Sequence, residues 1–328
     1  MIDVAVFGAG RIGKIHAANL AAQSGVRLKY VVDIDSAAAG ELAQRHAARV
    51  ADSDTALKDQ AVKAVVIASS TDTHAALIDR AAAAGKAIFC EKPVDLALER
   101  ARACIASVSR AGVLCMIGFQ RRFDPTFAAL KRRLDAGEIG NAEMLMITSR
   151  DPGPPPISYI KVSGGIFRDM LIHDFDLFRW ILSDEAHTVH ASASCLVQKQ
   201  IGEAGDVDST AVTILTKAGR LCQINTSRRA AYGYDQRFEV LGAQGQLQAG
   251  NHRPTQVFAY TAASVCADKP EYFFLERYRT AYALEIAHFF DALAQGTPVK
   301  TTLQDGIKAL ELADAATRSW QEQRIVTL

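Results

Sequence analysis

The chain has 328 residues, enough for about two domains of ordinary size. Apolar residues make up 49% and charged residues 22%, a balance that supports a sizeable core and excludes a disordered chain. Lysine and arginine total 37 against 36 acids, so the net charge of +1 argues against a nucleic-acid-binding or membrane-surface protein. The six cysteines (Cys90, Cys104, Cys115, Cys195, Cys222, Cys266) are scattered, with no Cys-x-x-Cys pair. That is the pattern of buried thiols in a reducing, cytoplasmic compartment, and neither a disulfide framework nor a metal site is expected. No apolar run approaches the ~20 residues of a spanning helix, and no basic, cleavable leader precedes the first run of β-formers.

Ile2 to Phe7 is a short strand of β-formers that runs into Gly8-Ala9-Gly10-Arg11-Ile12-Gly13, after which Lys14 to Ala22 carries a helical pattern. Glycines at this spacing between a strand and a helix fit a dinucleotide: Gly8 for the tight turn, Gly10 for close approach of a pyrophosphate, Gly13 for helix–strand packing. The phosphate charge then meets the free N–H groups at the helix start, at Arg11 and Ile12. A second strand, Arg27 to Val32, ends at Asp33, about twenty positions after Gly13, where an acid accepts from the ribose hydroxyls. Ile34 and Asp35 supply no arginine for a 2′-phosphate, so NAD is expected over NADP.

A short strand at Arg49–Ala51, a helix near Asp54 to Lys58, a strand at Ala64 to Ser69 and a helix at Ala75 to Ala84 continue the alternation. Ser69, Ser70 and Thr71 stand at a strand's carboxyl end, where they either contact the nucleotide or serve as turn and cap residues. Ala87 to Cys90 is a strand ending in Glu91-Lys92-Pro93. A lysine there faces the ligand crevice, and Pro93 restricts it to an extended conformation. Arg100 to Ala111 is a helix capped by Gly112, and Val113 to Gly118 closes the alternation. Strands alternating with helices over about 120 residues predict an α/β Rossmann domain with a doubly wound parallel sheet.

Beyond residue 120 the pattern changes. Phe127 to Leu134 reads as a helix with a solvated basic face, and Glu143 to Ser149 as a strand. Asp151-Pro152-Gly153-Pro154-Pro155-Pro156 must be a loop, a plausible flap over a substrate. Gly164 to Asp176 is expected to be one helical stretch with Asp169 and His173 on the same face. Such a pair is either a surface ion pair or an acid–base couple. Thr188–Gln198, Ser209–Thr216, Leu221–Arg228, Gln236–Leu241 and Gln246–Ala249 predict an α+β domain with a large, mainly antiparallel open sheet, one face of which needs cover. Glu276–Gln295 and Leu303–Gln323 are closing helices, and Tyr282 on the first is either core or a site residue. The expected division is residues 1–120 for the nucleotide and 121–328 for substrate and oligomerisation.

Taken together, Gly8 to Gly13, Glu91-Lys92-Pro93, Gly118-Phe119-Gln120-Arg121-Arg122-Phe123-Asp124 and Gly165 to Asp176 occur in an order that resembles the Gfo/Idh/MocA oxidoreductase family over essentially the whole chain. Thr148 to Pro152, Ile172 to Asp176 and Arg228 to Gln236 are similar to its bacterial inositol-oxidising branch. The resemblance implies NAD as cofactor, a polyol as substrate and a homotetramer. It implies Lys92, Asp169 and His173 as catalytic residues, with Arg121, Asp151 and Tyr234 lining the polyol pocket. Glu91, Lys92 and Tyr282 are implied near the nicotinamide. The alternatives are a sibling dehydrogenase acting on scyllo-inositol, another sugar or an anhydrosugar, and, more remotely, a non-catalytic NAD-binding regulator.

Overall fold

Runs of β-formers that stay apolar on both faces need cover from both sides, and helices supply it. The computed structural model describes residues 1–328. It begins β1 (Ile2–Phe7), α1 (Arg11–Ala22), β2 (Val26–Val32), α2 (Ser36–Arg45), β3 (Arg49–Val50), α3 (Ser53–Lys58). The alternation goes on through β4 (Val62–Ile67), α4 (Thr71–Ala83), β5 (Ala87–Glu91), α5 (Leu98–Ala111) and β6 (Cys115–Gly118). The six strands form one parallel sheet in the order β3-β2-β1-β4-β5-β6. Chain order reverses between β1 and β4, the switch point outside whose carboxyl ends such sheets bind ligands. This is the expected doubly wound sheet.

The chain continues through a 3₁₀ turn (Gln120–Phe123), α6 (Pro125–Asp135), β7 (Ala142–Arg150), α7 (Ile157–Ile160), α8 (Ile166–Asp169), α9 (Ile172–Leu182) and β8 (Ala186–Ser194). After α10 (Lys199–Glu203) come β9 (Ser209–Thr216), β10 (Leu221–Ser227), β11 (Asp235–Gly242) and β12 (Gly245–Ala249). A small hairpin, β13 (Phe258–Tyr260) and β14 (Val265–Ala267), leads to α11 (Phe274–Arg277), α12 (Arg279–Gln295), α13 (Leu303–Glu322) and β15 (Val326–Thr327).

Two compact units result. The first takes Met1–Phe123 and Ala281–Leu310, the second Asp124–Thr280 and Glu311–Leu328. In the first, Phe289 of α12 packs edge-on against Phe89 of β5, with ring centroids 5.9 Å apart. Arg122 ties the end of the 3₁₀ turn down by donating to Asp305 and to the Lys300 carbonyl, each at 3.1 Å.

The second unit holds a seven-stranded sheet in the order β12-β11-β7-β10-β9-β8-β15. Only β7 and β10 pair in parallel; the other neighbours are antiparallel, so the sheet is mainly antiparallel as expected. Its residues alternate, with Leu145, Ile147, Val212, Ile214, Ile224, Phe238 and Val240 buried on the inner face. No helix of the chain is long and apolar enough to cross a membrane.

One expectation is corrected here. Asp169 and His173 do not share a continuous helix: α8 ends at Asp169, and α9 begins at Ile172. The reason lies in the backbone pairing. Leu171 N bonds to the Ile166 carbonyl five residues back at 3.0 Å, which widens the turn before Phe175 N resumes the four-residue step to Leu171. The two residues therefore stand on two consecutive helical segments, Asp169 at the end of α8 and His173 in the first turn of α9.

Candidate active site

The glycine loop is shaped by close contact at two positions and by open space at a third. Gly8 lies at φ +107, and a Cβ there would stand 2.4 Å from the Ala68 carbonyl oxygen at the end of β4. A Cβ on Gly13 would stand 1.9 Å from the Gly8 carbonyl oxygen. Both positions exclude any side chain. Around Gly10 nothing lies within 4 Å of a Cβ position, so backbone is exposed to an incoming group. Gly10 is also the N-cap of α1 and provides no side-chain cap, so the helix start at Arg11 and Ile12 keeps its character as an anion site.

Asp33 completes this arrangement. Its Oδ2 accepts from Ala9 N at 2.6 Å and its Oδ1 from Asp35 N at 2.8 Å, so the carboxylate is fixed beside the glycine turn. Asp35 caps α2 through Ala37 N and Ala38 N, and Ile34 is exposed. Two carboxylates and no cation within this stretch suit ribose hydroxyls and oppose a 2′-phosphate. The donor set thus fits a dinucleotide of the NAD type.

At the neighbouring strand end the buried Glu91 shares a 2.7 Å hydrogen bond with His16 of α1, which is itself fully buried. A Cβ on Gly118 would meet the Glu91 carboxyl at 3.1 Å, so that glycine makes room for it. Tyr282, 4% exposed, lies edge-on to His16 at 5.9 Å. Glu91, His16 and Tyr282 thereby form a packed cluster, and the half-buried Lys92 directly follows Glu91 in the chain. The Lys92–Pro93 peptide is cis. Buried His74 sits between two loops, 2.8 Å from the Pro93 carbonyl and 3.0 Å from that of Ser69. It ties the Lys92 turn to the Ser69-Ser70-Thr71 loop. Ser69 Oγ lies 2.6 Å from Thr73 Oγ1, Ser70 is the N-cap of α4 without a side-chain cap bond, and Thr71 is its first residue. Arg121 is buried in the 3₁₀ turn after β6.

In the second unit the register of three adjacent strands gathers the polar residues at one sheet end. Arg150 of β7 pairs with Ser227 of β10 and with Asp235 of β11. The residues just outside these positions are Asp151, Arg228 and Tyr234. Asp151 N donates to the Ser227 carbonyl at 3.0 Å. Arg228 is 1% exposed and its Nη1 donates to Asp169 Oδ2 at 3.2 Å. Tyr159, exposed on α7 just beyond the proline loop, donates its hydroxyl to Asp169 Oδ1 at 2.7 Å. Tyr234 is buried against Phe273 and Tyr278. His173, half-buried, lies in the first turn of α9, which packs along β7.

The structure thus brings Gly8, Gly10, Gly13, Asp33, Ser69 and Lys92 to the carboxyl edge of the first sheet. It brings Asp151, Asp169 and Tyr234 to one end of the second. His16, His74, Tyr159 and Asp206 carry no sequence signal of their own, because each is defined by a partner that local spacing does not name.

A doubly wound sheet with a glycine-lined anion site and a lysine at its carboxyl edge defines a class, the dinucleotide-dependent oxidoreductases. The chain belongs to the GFO/IDH/MocA oxidoreductase family. Residues 2–119 match the family's NAD-binding Rossmann fold and residues 127–248 its C-terminal domain. The chain is 48% identical to an inositol 2-dehydrogenase of Rhizobium meliloti (strain 1021), with 98% of each chain covered. It is similar to the crystal structure of a myo-inositol dehydrogenase from Corynebacterium glutamicum ATCC 13032, at 43% identity and TM-score 0.96 over 100% of this chain and 99% of that one. A myo-inositol dehydrogenase from Lactobacillus casei, in complex with NAD(H) and myo-inositol, matches at 28% identity and TM-score 0.90 over 100% and 97%.

Proposed function

We propose that this protein oxidises a secondary hydroxyl of a cyclic polyol with NAD, converting myo-inositol to 2-keto-myo-inositol (scyllo-inosose) in cytoplasmic inositol catabolism. The observation that carries the reading is the coincidence of Lys92, Asp169 and His173 with 48% identity, over 98% of the chain, to an inositol 2-dehydrogenase. Bound NAD supplies the hydride acceptor, and Gly8, Gly10, Gly13, Asp33 and the start of α1 are the residues that would hold it.

The chain's own side chains handle the proton and the charge. His173 takes the proton of the substrate hydroxyl, the general-base role that an imidazole nitrogen can fill. Asp169 orients the hydroxyl and the imidazole and favours the imidazolium as it forms. The Lys92 ammonium stabilises negative charge developing on the oxygen while the carbon-bound hydrogen departs. Arg121, Asp151 and Tyr234 meet the remaining hydroxyls. Four buried thiols, Cys90, Cys104, Cys115 and Cys222, fit a reducing compartment. The association state is a homotetramer formed through the outer face of the seven-stranded sheet, where Met146, Leu221 and Leu241 are exposed.

NADH formation measured with myo-inositol, scyllo-inositol and glucose tests the reading. Myo-inositol is expected to give the highest kcat/KM. A preference for scyllo-inositol or glucose moves the chain to a sibling activity, and no reduction of NAD with any of them removes the proposal.

A further inference from the structure

Asp169 ends α8, a helix of a single turn. One turn closes too few hydrogen bonds to hold itself, so its geometry must be imposed from outside. Two side chains impose it. Asp206 Oδ1 accepts from Ile166 N at 3.0 Å, satisfying a donor at the start of the turn. Gly165 leaves room for this: a Cβ there would stand 3.1 Å from the same oxygen. At the other end, Arg228 Nη1 holds Asp169 Oδ2 at 3.2 Å, while its Nη2 stands 3.6 Å from Asp206 Oδ2. One buried guanidinium therefore faces the carboxylates at both ends of the turn.

Arg228 is itself well anchored. Its backbone N donates to the Asp208 carbonyl at 2.8 Å, directly after β10. The Asp208 carboxylate in turn accepts from Leu196 N at 2.7 Å and from Val197 N and Gln198 N at 2.9 Å. The guanidinium thus projects from a fixed strand end, and its planar fork suits two carboxylates at once better than a lysine's point charge does.

We propose that Arg228, braced by Asp206, is a positioning residue that sets the orientation of the Asp169 carboxylate for polyol oxidation. This rests on the reading of Asp169 as a catalytic residue. Arg228 touches Asp169 and acts through it, whereas Tyr159 reaches the other carboxylate oxygen from an exposed side chain.

The test is steady-state kinetics with NAD and myo-inositol on Arg228→Met, Arg228→Lys, Asp206→Asn and Asp169→Asn, each checked for folding by circular dichroism. Arg228→Met is expected to lose about thirty-fold or more in kcat with KM for NAD unchanged. Arg228→Lys is expected to recover to within about ten-fold of the parent, because an ammonium can still meet Asp169. A folded Arg228→Met with kcat within two-fold of the parent overturns the proposal, as does a lysine variant no better than the methionine one. If Arg228→Met fails to fold, Asp206→Asn decides, since it keeps side-chain size and the oxygen that Ile166 N needs. A three- to ten-fold fall in its kcat supports the proposal, and an unchanged kcat overturns it. Full activity in Asp169→Asn removes the catalytic reading itself, a different result from a failure of the Arg228 variants.

Discussion

At the scale of single residues, the roles proposed for Lys92 and Asp33 both act through charge, and both are measurable. Lys92→Ala removes the cation proposed to face the developing alkoxide, at a cost of about 3 kcal/mol, or about 100-fold in kcat. His173→Ala removes the proposed proton acceptor and is expected to lose at least as much. Near-parental turnover in either variant contradicts the assignment. The Asp33 carboxylate proposed to meet the ribose also accepts from Ala9 N in the glycine turn. Its replacement by alanine removes a charge-assisted bond worth about 1.5–3 kcal/mol, which raises KM for NAD by about 10- to 100-fold. KM for NADP should rise less, since a like charge is removed as well. Parallel KM measurements with the two cofactors check this, and an equal rise in both contradicts the role given to Asp33.

At the scale of elements, buried charge decides how the second unit's helices and loops are fastened. Asp124 caps α6, accepting from Thr126 N at 3.1 Å and Phe127 N at 3.0 Å, and pairs with Arg277 of α11. The guanidinium lies 5.1 Å from the Phe127 ring centroid and 4.8 Å from that of Tyr278, with both ions buried. Arg277→Leu strands the carboxylate and is expected to cost about 3–5 kcal/mol in denaturant unfolding. A loss below 1 kcal/mol contradicts that account. Asp208 fastens the segment after β8. Burial pushes its carboxyl up, but the hydrogen bonds from Gln198 N, Leu196 N and Val197 N outweigh this and hold it below the ordinary value. A carboxyl lowered by folding adds stability that is present above its unfolded pKa, about 3.9, and lost as pH falls through the folded value. The stability gap between parent and Asp208→Asn should therefore shrink on acidification below about pH 4. Denaturant titrations at several pH values check it, and a constant gap contradicts it.

These elements also show where the sequence is readable. The six strands of the first sheet are legible because their signal is local: apolar runs, glycine punctuation and a lysine at a strand end. The break between α8 and α9 is not, because Ile166 to Leu182 keeps a helical pattern while Asp206 and Arg228 fix one turn of it from elsewhere in the chain. The partnerships of the site escape for the same reason. Glu91 and His16 are 75 positions apart, and Asp169 and Arg228 are 59 apart. The β13–β14 hairpin escapes differently: Phe258, Tyr260 and Val265 are exposed, so no alternation of buried and exposed positions marks it.

At the scale of the whole molecule, the two faces of the seven-stranded sheet differ in what covers them. The inner face is buried against helices of its own unit, α9 among them. On the outer face, strand register places Leu241 of β11, Met144 of β7, Leu221 of β10 and Leu215 of β9 side by side in one row across four strands. Met146 lies two positions further along β7 on the same face, and Leu241, Met146 and Leu221 are 43%, 46% and 40% exposed. A contiguous apolar row on an open sheet is a liability for a lone chain and a natural seat for a second copy. Beside it, Arg150 and Tyr232 are held with the buried Asp235. Burying one Leu or Met side chain contributes about 1.5–3 kcal/mol, and a carboxylate in its place must be desolvated unpaired. The double variant Met146→Asp/Leu221→Asp is therefore expected to sediment as a smaller species than the parent. Its circular dichroism spectrum should be retained, because neither residue belongs to the inner core. If the variant sediments with the parent at every concentration, the outer sheet face is not where the copies meet.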